Sequence, residues 1–396
     1  MFGYFYFTRR AIAKKSGQTK FISLLTCEPP EPGDADSFIY GTASTKTIKC
    51  AELPAEFAGL FDAVEAEKAL DGVLAYAEEH LTGDPSTWYK HYTIPKRSGE
   101  PRPIDEPLPE LSAYLYNLMG ILRKKFFAMY HDSAYAYVKY RNTKQCLEQH
   151  QRNTNFVKMD FKNFFGSTTL YEAMTILPKI YPFNFFCETE ARKAKLRKAL
   201  SYTFLNGGLP QGTCISPMLT NLLMIPFDYE INHRGMGLNM TYTRYADDLL
   251  FSSKSMRIWN REQANNMRKC MVKEVYRILR QCGYPYRLNA KKTKVCSRLG
   301  KNWNLGLMLN QYDEITIGHE NIRKLKADLW NLVQSVSKSK PIAKEWLQKF
   351  EGRYHYYRLI QPTRVDQLAS AAVSKGYRYY WMDINAIFRL ARLRAQ

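Results

Sequence analysis

Thr241-Tyr-Thr-Arg-Tyr-Ala-Asp-Asp-Leu-Leu-Phe-Ser-Ser253 sets two adjacent carboxylates, Asp247 and Asp248, between two runs of residues that favour extended chain. β-Branched and aromatic side chains precede the pair and apolar ones follow it, which predicts a β-hairpin with its acids at the tight turn. Two carboxylates held together repel and disfavour joint ionisation. A divalent cation that neutralises both gives a physical reason for keeping them there. Taken by itself, an Asp-Asp step is more often a polar turn facing water, so the rest of the chain decides between the two readings.

A third acid lies upstream. Asn155-Phe-Val-Lys-Met-Asp160 reads as a strand ending in a carboxylate. If that strand shares a sheet with the hairpin, all three acids meet at one point. Phosphoryl transfer uses such a meeting point, with two Mg²⁺ ions about 3.5–4 Å apart bridged by carboxylates. One ion lowers the pKa of the attacking hydroxyl and the other stabilises the leaving pyrophosphate. Asp160 and Asp247 are expected as the principal metal ligands, Asp248 as their support, and the backbone carbonyl of Phe161 as a further hard oxygen donor.

The bulk properties favour a polyanionic partner. The chain has 396 residues, a net charge of +21 from 58 Lys and Arg against 37 Asp and Glu, and 45% hydrophobic residues, a globular composition with room for two or three cores. Nucleic acid is the commonest partner for such a basic surface. A membrane surface is disfavoured because the charge is spread along the chain rather than gathered in one tail or helix. No apolar stretch is long enough to span a bilayer. Met1-Phe-Gly-Tyr-Phe-Tyr-Phe7 lacks a preceding basic region and reads as an early buried strand rather than a leader. Eight scattered cysteines without a C-x-x-C pair argue against zinc and for reduced thiols in the cytoplasm.

Periodicity organises the rest. Residues 60–81 and 110–130 read as amphipathic helices, and Tyr92–Lys96 with Pro101–Ile104 as a hairpin turning at Arg97-Ser-Gly-Glu100. Gly207-Gly-Leu-Pro-Gln-Gly212 is a breaker-rich loop leading to a helix that Ser216 is expected to cap, with Pro217 in its first turn. A basic helix over 262–282 ends at Gly283. Trp303–Leu309 and Glu314–Ile317 form a second hairpin. After residue 320 come three or four amphipathic helices, a separate bundle.

These motifs, in this order, resemble those of reverse transcriptases, with the nearest likeness to bacterial enzymes of the retron, group II intron and defence-associated groups. Asp160 in Phe-Val-Lys-Met-Asp-Phe-Lys-Asn-Phe-Phe, the loop Gly-Gly-Leu-Pro-Gln-Gly-Thr-Cys-Ile-Ser-Pro and Tyr245-Ala-Asp-Asp248 carry the resemblance, which covers about residues 90–310. The tail Gly352-Arg-Tyr-His-Tyr-Tyr-Arg-Leu-Ile-Gln-Pro362 resembles the thumb of retron-like enzymes. The resemblance implies roles. Lys96 and Arg102 would hold the incoming triphosphate, as a point charge and a fork-shaped donor suit phosphate oxygens; a solvated basic hairpin is the plain alternative. Phe165, five residues after Asp160, would stack under the sugar and exclude a 2′-hydroxyl. Gln211 would abut the new base pair, and Tyr245 joins these residues at the nucleotide. Among Lys291, Lys292 and Lys294, Lys292 aligns best as a general acid near the pyrophosphate. Gly306, in a segment similar to the primer-grip hairpin, would allow backbone approach to the primer. Arg353, Tyr356, Tyr357 and Arg358, with the second cluster Arg378-Tyr-Tyr-Trp381, would grip duplex phosphates and bases; core aromatics with a basic solvent face are the plain reading for each one singly.

Asn304-Leu-Gly306 stands where retron enzymes usually carry Val-Thr-Gly, and no Asn-Ala-x-x-His occurs. Neither a maturase segment nor a Cys/His endonuclease is evident. The resemblance is therefore nearest to stand-alone, defence-associated enzymes. It implies an α+β right-hand polymerase with an N-terminal extension and start of fingers over 1–89, fingers over 90–154, palm over 155–318 and a helical thumb over 319–396. The expected activity is RNA-directed DNA synthesis with Mg²⁺, or Mn²⁺ in its place, from dNTPs on a dedicated noncoding RNA, in antiphage defence, with a DNA product or primer as the second nucleic-acid partner. A retron-type enzyme making RNA-linked DNA, an RNA-directed RNA polymerase and a non-catalytic RNA-binding scaffold are the alternatives.

Overall fold

The computed structural model describes residues 11–15, 18–22, 61–96, 99–126, 129–237, 239–254, 260–298, 302–376 and 382–395, the first two segments as backbone only. The strand expected at Met1–Phe7, the turn residues Arg97 and Ser98, and the whole of the second basic-aromatic cluster lie outside the described residues. The chain separates into two compact units, one of residues 1–142 and 155–295, the other of 143–154 and 296–396.

The first unit is built on an antiparallel sheet. Its strands are β5 (Asn155–Lys162), β6 (Thr241–Tyr245), β7 (Asp248–Ser253) and β8 (Arg287–Leu288), in the order β6-β7-β5-β8, with β9 (Lys294–Ser297) also paired to β5. Two hairpins stand apart from it: β1 (Ala11–Lys15) with β2 (Gln18–Ile22), and β3 (Tyr89–Pro95) with β4 (Pro101–Pro107). The longer helices of the unit are α1 (Ala63–His80), α2 (Pro109–Lys124), α3 (Leu170–Ile176), α4 (Glu190–Ser201), α5 (Ser216–Leu223), α6 (Ile225–Gly237) and α7 (Arg261–Cys282).

Local chemistry sets these boundaries. Asp62 caps α1 by accepting from the N–H groups of Val64 and Glu65, and the helix buries Ala66, Leu70, Val73, Leu74 and Ala77 along one stripe. Asn260 caps α7, and Gly283 at φ 83° ends it in the left-handed conformation expected for that glycine. The α5 start differs from expectation. Ser216 is the first helical residue rather than the cap, because Thr213, three residues earlier, offers Oγ1 to its N–H at 3.3 Å. α2 stops at Lys124, short of residue 130.

The second unit holds a short helix at Thr143–Glu148, a three-stranded sheet of β10 (Trp303–Asn304), β11 (Leu307–Leu309) and β12 (Ile315–Thr316), and four helices: α8 (His319–Ser337), α9 (Lys344–Ile360), α10 (Pro362–Gly376) and α11 (Ile384–Arg394). Leu305 and Gly306, both at positive φ, form the two-residue turn between β10 and β11. Leu325, Leu329, Val333 and Val336 of α8, Phe350 and Tyr354 of α9, and Phe388 of α11 are buried in its core. Among the described residues, no helix is long and apolar enough to cross a membrane.

His150 is fully buried in this second unit, and burial pushes its pKa down from 6.5 to about 3. The folded state keeps the ring neutral while the unfolded chain protonates it. The stability contribution is therefore whole above about pH 6.5 and is lost as the pH falls toward 3. At pH 5 the loss is about 2 kcal/mol, at 1.36 kcal/mol per pH unit. Thermal unfolding of wild type and His150→Gln between pH 7.5 and 5 checks this: the wild type is expected to lose the larger share of its stability on acidification.

Candidate active site

β6 and β7 are joined by Ala246 and Asp247 alone, and Tyr245 pairs with Asp248 across the turn. Ala246 sits at φ 56°, a conformation that L-residues with a Cβ rarely adopt. The strand β5 then pairs with β7 so that Asp160 lies directly opposite Asp248. Directly opposed residues project from the same face of a sheet. Phe161 donates its N–H to the Asp247 carbonyl at 3.0 Å, and Asn289 donates to the Asp160 carbonyl at 2.7 Å. The N–H and C=O of an extended residue point to the same side, so the Phe161 carbonyl faces the hairpin turn while its ring is buried. The register thus brings all three carboxylates and one backbone oxygen to the end of a single strand pair.

The charges at this point are poorly matched. Burial raises the Asp247 carboxyl, with Asp160 adding repulsion, while the charges of Lys292 and Arg102 oppose the shift. Asp248 is pushed up to about 7 by desolvation against the protein, then by Asp247 and Asp160. The Lys292 Nζ reaches Asp160 Oδ1 at 2.7 Å, and that bond holds its proton more firmly than usual. Among the described residues, no three His, Cys, Asp or Glu side chains close into a ready metal cage. The donor set still suits a hard cation: carboxylates plus a backbone carbonyl are the oxygen ligands of Mg²⁺ and Ca²⁺. Such an ion would supply the positive charge that Lys292 only partly provides.

Beneath the turn lies a network that the sequence reading missed. Arg244 and Asp228 are both fully buried, joined by Nε at 2.9 Å and Nη2 at 2.7 Å. Tyr242 donates to the same carboxylate at 2.8 Å. Arg244 Nη1 also donates to Asn221 Oδ1 at 3.0 Å and to the Ala246 carbonyl at 3.2 Å. Asn221 in turn donates to the Ala136 carbonyl at 2.8 Å. The guanidinium therefore grips the strained turn residue from inside the protein. A charge amid a strand of aromatic and β-branched residues was the available signal, since a buried charge requires a partner.

The other expected residues of this unit separate into two sets. Gln211, half-buried, receives the Asp105 N–H on its carbonyl at 2.7 Å. It lines a cavity of about 260 Å³ with Pro103, Asp105, Asn163, Gly166 and Leu209. Phe165 is half-buried beside this cavity, its carbonyl accepting from Leu209 N–H at 3.1 Å. Gly208 is pressed against Gly166 so closely that a Cβ there would meet the Gly166 carbonyl oxygen at 2.5 Å. Arg102 is exposed on β4 and near enough to act on the charge of Asp247. Lys96 is held at the tip of its hairpin by Glu100 at 3.5 Å.

In the second unit, Arg353 pairs with Asp328 at 2.5 Å and Arg358 with Asp366 at 2.7 Å. Tyr356 shares a hydrogen bond of 3.0 Å with Thr143, and its ring lies 6.1 Å from that of Tyr357. Tyr354, central to the same sequence cluster, is 1% exposed and packs against Phe388, so it is core. Gly306 has nothing within 4 Å of where a Cβ would stand.

A family profile described as "Reverse transcriptase (RNA-dependent DNA polymerase)" matches residues 94–345, from the end of β3 through β4, all three acids and the Gln211 loop. The chain belongs to the reverse transcriptase family. This reverse transcriptase is 28% identical to the Retron Mx162 reverse transcriptase of Myxococcus xanthus over 72% of its own length and 60% of that enzyme's. It is also 28% identical to the Retron Ec73 reverse transcriptase of Escherichia coli, over 69% of its length and 83% of that enzyme's. It therefore spans less than two thirds of the first of these relatives. Among solved structures, apo telomerase from Candida tropicalis has a TM-score of 0.43 and 14% identity over 84% of this chain and 68% of that one. Family membership brings with it an α+β right-hand fold class and a dependence on divalent metal ions.

Proposed function

We propose that this reverse transcriptase is an RNA-directed DNA polymerase that copies a dedicated noncoding RNA from dNTPs. The observation that carries the reading is the register of β5 and β7, which sets Asp160 opposite Asp248 beside the Asp247 turn. Asp160, Asp247, Asp248 and the Phe161 carbonyl would hold two Mg²⁺ ions, with Mn²⁺ as a substitute. When bound, the ions supply charge for the attacking hydroxyl and the leaving diphosphate.

The chain's own residues do the rest. Arg102 and Lys96 bind triphosphate oxygens, Arg102 from beside the acids. Phe165 bounds the sugar, and Gln211 and Tyr245 bound the base pair. Lys292, whose Nζ donates to Asp160, gives a proton to the departing diphosphate. We assign residues 90–154 to fingers, 155–318 to palm and 319–396 to a thumb, with Gly306 of the palm meeting the primer and Arg353, Tyr356, Tyr357 and Arg358 of the thumb meeting the duplex. Positioning supplies much of the rate in such a site. The scattered cysteines support a reducing cytoplasm as its compartment. Antiphage defence is the biological setting we assign from the motif departures. The retron-type reading, with RNA-linked DNA as product, is favoured by the identity of the curated relatives.

Nucleotide incorporation on a primed RNA template, with dNTPs and NTPs compared at equal Mg²⁺, tests the activity. Deoxynucleotides are expected to be incorporated, and Phe165→Ala is expected to lower the preference for them at least about ten-fold, the scale of a lost steric contact. Equal use of NTPs by the wild type would point to RNA synthesis, and no metal-dependent incorporation to a scaffold.

A further inference from the structure

A second cavity adjoins the Gln211 site. It holds about 400 Å³ and is lined by Lys162, Asn163, Ser167, Thr169, Glu172 and Arg287. Asn163, in the left-handed conformation at φ 49°, lines both cavities and so forms the wall between them.

The sheet register places two like charges here. Lys162 of β5 lies directly opposite Arg287 of β8. Like charges so paired cost stability. Neither side chain has an ion-pair partner among the described residues. The one acid in the lining, Glu172, is committed elsewhere: its carboxylate accepts the Thr169 N–H at 3.1 Å and the Thr169 hydroxyl in a capping box. Lys162 is two residues beyond Asp160 on an extended strand, so it projects from the same face about 7 Å further along. Ser167 and Asn163 add neutral hydrogen-bonding groups to the wall. With two cations against the one Glu172 carboxylate, the arrangement is a polar cup with a surplus of positive charge, one strand repeat from the carboxylates.

The geometry points to this cup as a receiving site for inorganic diphosphate, the product released when a nucleotide is joined to the primer. This rests on the polymerase reading above. Lys162 and Arg287 bind the phosphate oxygens, the guanidinium as a fork and the ammonium as a point charge. Asn163 stands at the threshold between the nucleotide cavity and the cup. The cup gives the departing product a second set of cationic partners, and Lys96, Arg102 and Lys292 are not part of its lining.

The test uses inorganic diphosphate as probe and has two arms. In the first, its direct binding to the full chain without template or nucleotide is measured by calorimetry. Lys162→Gln/Arg287→Gln is expected to weaken binding about ten-fold, since two partly solvated charges are lost, while Lys162→Arg retains it. In the second, the inhibition constant of diphosphate in dNTP incorporation at fixed free Mg²⁺ is expected to rise by a similar factor. Unchanged binding and inhibition in the double variant overturns the proposal. So does a fall of about two in the slope of log Kd against log salt for primer–template, which would place the phosphodiester backbone in the cup. Absence of nucleotide incorporation by the wild type overturns the polymerase reading instead, and the binding arm keeps the two failures apart.

Discussion

Asp247→Ala is expected to lower nucleotide incorporation by about a thousand-fold or more while leaving the protein folded and able to retain RNA at low salt. A metal ligand at a reacting phosphate contributes several kcal/mol to the transition state, and each 1.4 kcal/mol is a factor of ten. RNA retention depends instead on the chain's surplus of 58 basic over 37 acidic residues, which this change leaves in place. The stability effect runs the other way. The Asp247 carboxyl is raised above its ordinary value, so its stability contribution is present below the carboxylate range and lost as the pH rises through the folded value. Asp247→Asn removes that loss. In metal-free buffer at pH 8 the Asn variant is expected to melt above the wild type, whereas added Mg²⁺ should raise the wild-type Tm and leave the variant nearly unmoved. An Asp247→Ala enzyme with wild-type activity would end the assignment of the hairpin as the catalytic centre.

Arg244→Ala is expected to be the most damaging single change to stability among those considered. Truncation leaves the Asp228 carboxylate fully buried without its counter-ion, a loss of about 3–5 kcal/mol. It also frees the Ala246 carbonyl and Asn221. Arg244→Lys is the informative companion. The ammonium can still face Asp228 but cannot also span to Ala246 and Asn221. It is expected to fold, with a lower Tm, and to need more Mg²⁺ for half-maximal incorporation, because the turn that presents Asp247 is no longer gripped from below. Titrating activity against Mg²⁺ at a temperature well below its Tm checks this. An unchanged Mg²⁺ requirement would reduce Arg244 to a structural residue.

The hairpin and the strand at Asp160 were legible in the sequence because both express the two-residue period of extended chain, and because punctuating residues mark their ends. Helices α1 and α7 were legible for the same reason at helical period, with Gly283 closing the second. What periodicity cannot express is register. Asp160 falls opposite Asp248 only because β5 pairs with β7 over six residues from Asn155, and no local signal states which strand a strand will choose. The lysine run at 291–294 was ambiguous for a related reason: only the turn after β8, stitched through Asn289 to β5, decides that Lys292 reaches Asp160. Arg244 was passed over because a charge in a strand reads as a solvent-facing position unless its partner is known, and Asp228 lies on a different element. Tyr354, at the centre of the basic-aromatic stripe, is core, as the plain reading of any single aromatic there expects. The Ser216 cap failed on competition, since Thr213 was the better-placed hydroxyl.

The contact between Gly166 and Gly208 joins two parts of the site that sequence treats as separate. Phe165 precedes the first glycine, and its carbonyl is bonded to Leu209, beside the second. The residue assigned to test the sugar and the loop assigned to test the base are thus one rigid piece. Any displacement of that piece is shared, so errors in choosing deoxyribose over ribose and errors in copying should rise and fall together across variants of this loop.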